Sequence, residues 1–217
     1  MPRRNRVDPW GDLHAVAARG LFTGNRGCVV NASEEVVRHH GSTLWIICKT
    51  RYKDWRWPLA RPNRWTPLFF LDDAVALAAG HRPCGLCRRD DYRQYKMAVR
   101  SALMADSGVD KPLKADDLNK ALQRERLVQG RGLNRARDRI LWRSRLGELP
   151  DGVVLVEDDK IPMLLHDKQL HAFSFDGWKA IRRVSDKNRI VEVLTPPVSV
   201  AALRHGFTPA LHSSAKR

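Results

Sequence analysis

Cys28, Cys48, Cys84 and Cys87 are the residues whose type and spacing point most directly to chemistry. Cys84 and Cys87 form a Cys-x-x-Cys pair inside His81-Arg82-Pro83-Cys84-Gly85-Leu86-Cys87. Two intervening residues let the backbone turn so that both sulfurs face one ion, while amides of the turn donate to them. Structural zinc takes four thiolate or imidazole ligands in a tetrahedron, so the pair supplies half a site. Cys48 and Cys28 are the other cysteines and complete the set, with His39 or His40 as substitutes for Cys28. A helix opening at the pair would aim its positive end at the thiolates. Arg82, Arg88 and Arg89 would offset the site's negative charge. The implied cofactor is Zn2+. Two other uses compete. A redox dithiol would need a strand leading directly into the pair, as in thioredoxin-like units, and the sequence offers none. Inert buried thiols are the other.

Two basic stretches could meet phosphate. Between residues 49 and 65 stand Lys49, Arg51, Tyr52, Lys53, Trp55, Arg56, Trp57, Arg61, Arg64 and Trp65. Cations bind phosphates and exposed aromatic rings stack on bases. This stretch lies between two candidate metal ligands, so the ion would fix its ends. The competing reading is a hairpin with its tryptophans in the core. Farther on, Arg131, Arg135, Arg139 and Arg143 recur every four residues, one stripe on a helix, with Leu133, Ile140 and Leu141 for its buried side. Such a run is commonly a solvated face, but its single sign favours phosphate contact.

These groups need elements to position them. Leu21–Val30 reads as a strand broken by Gly24-Asn25-Arg26-Gly27, and Leu44–Cys48 and Trp65–Leu71 as further strands. Asp72 and Asp73 open a short helix to Ala79, with Gly80 just past its end. A longer helix is expected from about Gly85 to Ala105, and two more over 115–128 and 132–146. Beyond the turn Pro150-Asp151-Gly152, four short strands are expected at Val153–Val156, Met163–His166, Leu170–Phe175 and Ile190–Leu194, then a helix at Val198–His205. The expected class is α+β: a small zinc-centred mixed module with helices over 1–148, then a short-stranded antiparallel β meander over 149–217.

The run from Asp73 through Gly80-His81-Arg82-Pro83-Cys84-Gly85-Leu86-Cys87-Arg88-Arg89 resembles the second half of the Ada-type metal-binding domain. That family has a strand, a short "EALAAG" helix, then an aromatic residue before RPC-x-x-C. Phe69-Phe70-Leu71 stands where its strand would be, and His81 where its aromatic residue would be. The resemblance implies zinc held by four cysteines, DNA recognition and, in the repair member, a cysteine that accepts a methyl group from a phosphotriester. Cys84 and Cys87 match the distal ligands and Cys48 the second of the proximal pair. Leu44 occupies the position of the first, so the methyl-accepting spacing is not reproduced. The match covers residues 69–89.

The 217-residue chain carries a net charge of +15 and is 43% hydrophobic, enough for a real core and for attraction to polyanions. No run of about 18 apolar residues suggests a membrane span, and Met1–Leu13 has charge without the apolar run of a signal peptide, so the cytosol is the expected compartment. The eight histidines are scattered, and the acid pairs Asp90-Asp91, Asp116-Asp117 and Asp158-Asp159 suit helix starts and a turn. No nuclease, hydrolase or phosphate-loop motif occurs. The expected function is a zinc protein that binds nucleic acid, DNA before RNA, in repair or regulation. The alternatives are a nuclease or alkyl-accepting repair enzyme, and a zinc-stabilised protein-interaction module.

Overall fold

The computed structural model describes residues 2–54, 64–108, 110–128, 138–157 and 159–216. It is an α+β protein built on two six-stranded sheets, largely antiparallel.

Short runs, the longest carrying apolar residues such as Phe22, Ile46, Ile47, Phe69 and Phe70, give the first sheet its strands. These are β1 (Arg6–Val7), β2 (Leu13–His14), β3 (Phe22–Asn25), β4 (Ile46–Lys49), β5 (Leu68–Phe70) and β6 (Arg82–Pro83), in the order β2-β1-β5-β3-β4-β6. The β3–β4 pairing is antiparallel with Thr23 opposite Cys48. β6 runs parallel to β4, with Pro83 opposite Ile47. At Gly24 the two backbones approach so closely that a Cβ would sit 2.1 Å from the Ile46 carbonyl oxygen, so glycine is required there.

Four helices among the described residues follow the expected signals. α1 (Asp73–Ala78) is capped by Asp72, whose carboxylate accepts from the Val75 amide at 3.1 Å. It ends at Gly80, which takes the left-handed φ of 86°. α2 (Arg89–Ser107) closes at Gly108, also left-handed, whose amide reaches the Met104 carbonyl at 2.8 Å. α3 (Ala115–Arg126) begins where Asp117 accepts from the Lys114 amide, and α4 (Pro197–Arg204) has proline in its first turn.

The second sheet comprises β7 (Trp142–Arg145), β8 (Val154–Val156), β9 (Pro162–His166), β10 (Gln169–Ser174), β11 (Gly177–Arg183) and β12 (Ile190–Val193), in the order β11-β10-β9-β8-β12-β7. The expected helix over 132–146 is therefore corrected. Residues 129–137 lie outside the described set, and Trp142–Arg145 is a strand paired with β12. Its half-buried and exposed residues alternate, the period of a strand.

The core runs through both sheets. Every residue of α1 is buried, and this helix touches β5 on one side and β8 on the other. Cross-links are polar as well. Trp178 donates its indole N–H to Asp72 at 2.6 Å, and the His212 amide donates to the same carboxylate at 3.0 Å. The Tyr95 hydroxyl meets Ser199 Oγ at 2.9 Å between α2 and α4. Among the described residues, no helix is long and apolar enough to cross a membrane.

Candidate metal centre

Cys48 stands on β4, and Cys84 directly follows β6, the parallel neighbour of β4. The Cys84 amide donates to the Ile47 carbonyl at 2.9 Å, which ties the start of the Cys-x-x-Cys turn to the strand that carries the third thiol. The chain then turns through Gly85 and Leu86, and the Leu86 amide donates to Cys84 Sγ at 3.4 Å. The Lys49 amide donates to Cys87 Sγ. The Sγ atoms of Cys48, Cys84 and Cys87 lie within 4.8 Å of one another. Three thiolates on a zinc ion, each about 2.3 Å from it, would stand about 3.8 Å apart, so the group is of the right size and donor type for that ion. No other cluster of cysteine, histidine or carboxylate donors among the described residues approaches so closely.

The electrostatics favour a cation. The thiols exchange hydrogen bonds, and that sharing, helped by amides of the turn, pulls Cys84 down to about 2. The same hydrogen bonds and burial push Cys48 far up. The first thiolate at Cys84 is thus stabilised by its neighbours' S–H groups, and further ionisation in so small a space is resisted. A divalent ion removes that resistance.

Cys28 does not join the group. Its thiol turns to the Val30 carbonyl oxygen at 3.3 Å, and the expected four-cysteine set reduces to three converging sulfurs. The substitutes fare no better. His39 Nε2 lies 3.1 Å from the Gly11 carbonyl, and both His39 and His40 pack on Trp45. A second correction concerns the approach to the pair. The two-residue β6 leads straight into Cys84, where no strand was expected, and α2 starts only at Arg89.

The basic residues separate into two groups. Lys49, Arg51, Lys53, Arg64, Arg89 and Arg143 are exposed, as phosphate contact requires. Arg88 and Arg139 are not. Arg88 is 3% exposed and forks onto Asp73 at 2.5 and 2.8 Å, with its Nε 2.7 Å from Asp91. Arg139 is buried and donates to the Ala78 and Leu194 carbonyls, which ties the end of α1 to the second sheet. Both are held inside the fold, Arg88 by two carboxylates and Arg139 through its Nη2, and neither reaches the surface. Arg143 lies on β7, about 4.0 Å from Glu192. Trp55, Arg56, Trp57, Arg61, Arg131 and Arg135 lie outside the described residues.

A cavity of about 200 Å³ adjoins the sulfurs. Besides the three cysteines, Thr23, Asn25, Ile46, Tyr52, Trp65 and Leu86 line it, and Lys49 stands at it. Thr23 carried no signal of its own in the sequence, and Asn25 stood out only as part of the turn Gly24-Asn25-Arg26-Gly27, not as a neighbour of the cysteines. They reach the site because β3 pairs with β4 in the register that sets Thr23 against Cys48.

His81 fits the expected packing role. It is fully buried, 4.7 Å from the Phe70 ring and 5.0 Å from the Trp45 ring, and neither of its nitrogens has a hydrogen-bond partner. Burial and the nearby Arg26 and Arg126 guanidiniums hold its pKa well below the usual histidine range. Compared with known proteins, the chain matches no family model, no curated protein and no solved structure.

Proposed function

We propose that this chain binds one zinc ion through Cys48, Cys84 and Cys87 and holds nucleic acid, DNA before RNA, on the exposed cations that flank the centre. The observation that carries the reading is the convergence of the three sulfurs. The chain leaves Cys48 directly into Lys49, Arg51 and Lys53, all exposed, and leaves Cys87 towards exposed Arg89. An ion that locks β4 to the Cys-x-x-Cys turn would therefore fix the roots of two basic segments. The net charge of +15 and the Ada-like run at 73–89 support the same reading. Phosphate contacts of this kind position a protein on a duplex without reading sequence.

Two measurements test it. Purified protein should carry one zinc per chain, and Cys84→Ser should abolish that while Cys28→Ser should not. Duplex binding should weaken steeply with salt, each phosphate contact adding about 0.9 to the slope of log K against log salt. Lys49→Ala with Arg51→Ala should lower that slope by about 2. Metal-free protein, or binding indifferent to salt, would sink the corresponding half of the proposal.

A further inference from the structure

We infer that the metal held by Cys48, Cys84 and Cys87 keeps its fourth coordination position for an exogenous small thiol, which enters through the cavity beside the sulfurs. The inference rests on the metal half of the proposed function and is independent of nucleic-acid binding.

Closed zinc sites have four protein ligands, and sites with three keep a position for something else. Here the protein offers three. All four cysteines and all eight histidines fall among the described residues, and only three of these side chains converge. The segments 55–63 and 129–137 contain no cysteine, histidine, aspartate or glutamate. Cys28 is turned to the Val30 carbonyl. The sulfurs border the 200 Å³ cavity, which has space for a molecule of several heavy atoms.

The lining decides what kind of ligand fits. Ile46, Leu86 and the rings of Tyr52 and Trp65 make much of the wall, and among the described residues no carboxylate or histidine is part of it. The wall's described residues thus offer no carboxylate or imidazole to orient an attacking water, and its apolar surface suits an apolar ligand body better. A soft donor on an apolar body suits both the wall and a metal already held by thiolates. Lys49 at the cavity favours an anionic sulfur over a neutral one. On binding, a sulfur–metal bond forms as the S–H bond breaks, and the proton leaves to solvent. No electron is transferred.

Cobalt(II) is the probe, because its visible absorption reports both geometry and the number of sulfur ligands. The full-length protein should bind one cobalt. Adding 2-mercaptoethanol should then raise the sulfur-to-cobalt absorption by about one third, the step from three thiolates to four. Ethanol at equal concentration should change nothing. Cys28→Ser should leave this titration unaltered. Leu86→Trp changes a side chain that is 56% exposed, so it spares the core. It should retain cobalt and weaken the thiol response at least tenfold by filling the cavity. A cobalt spectrum that thiol does not move would overturn the inference while leaving the metal reading intact. So would a cobalt-dependent dimer in sedimentation, with the fourth ligand supplied by a second copy. Failure to bind cobalt at all would overturn both.

Discussion

His81 shows what a single side chain can impose. Its ring lies between Phe70 and Trp45 with no partner for either nitrogen, so the folded protein resists its protonation. In the unfolded chain the ring takes a proton as pH falls through the usual value of about 6.5. The unfolded state then binds the extra proton, and stability drops below that pH by up to about 1.4 kcal/mol per unit. Above it the contribution is fully present. His81→Phe should therefore flatten the loss of stability between pH 7 and pH 5 by about 1–2 kcal/mol, read from urea midpoints at the two pH values. An equal loss in both proteins would assign the acid sensitivity to other groups. The sequence brought Cys84 and Cys87 together, as the structure does, because their geometry is set within four residues. It placed Cys28 wrongly because that assignment came by elimination, and elimination knows nothing of where Val30 holds the thiol. Arg88 and Arg139 were misplaced for a related reason: burial of a cation depends on a distant acceptor, Asp73 or the Ala78 carbonyl, that local charge does not reveal.

At the level of elements, α1 depends on its cap. Asp72 serves the Val75 amide, the Trp178 indole and the His212 amide together, joining the helix to β11 and to the chain end. Asp72→Ala removes the cap and leaves buried donors unpaired, a cost of about 3–5 kcal/mol. Thermal or urea unfolding checks it, and Asp72→Asn, which keeps one carbonyl oxygen, should lose less. A loss below about 1 kcal/mol would mean that solvent replaces the carboxylate. This helix was legible in the sequence because acid start, alanine-rich body and glycine stop all agree. The segment 132–146 was not. Its arginines repeat every four residues, yet Trp142-Arg143-Ser144-Arg145 also alternates, and pairing with β12 decides for the strand. The short β1, β2 and β6 gave no periodicity, since two residues cannot display one.

The whole molecule is stitched by its last residues. Phe207 is buried with its ring 5.3 Å from Tyr95, the Ala210 amide donates to Asp73 at 2.9 Å, and Ser214 Oγ accepts from the Trp178 amide at 2.8 Å. Deleting residues 207–217 should cost about 4 kcal/mol or more and expose the acids at the start of α1. Denaturant titration of the truncated chain reads this directly, and retention of full stability would make the tail an accessory. The α+β class and most strands of the second sheet could be read from turn residues and apolar runs. The order of strands could not, because pairings such as β1 with β5 or β12 with β7 join segments far apart in the chain.

The six-residue α1 is too short to persist by itself in water, yet all of it is buried between β5 and β8. Deuterium can reach its amides only when the layers on both sides come apart. The amides at the middle of this helix should therefore exchange at the slowest rate the molecule allows, set by global opening, and their protection should fall in step with total stability as denaturant is added. The least autonomous helix in the chain would then be the best reporter of the whole.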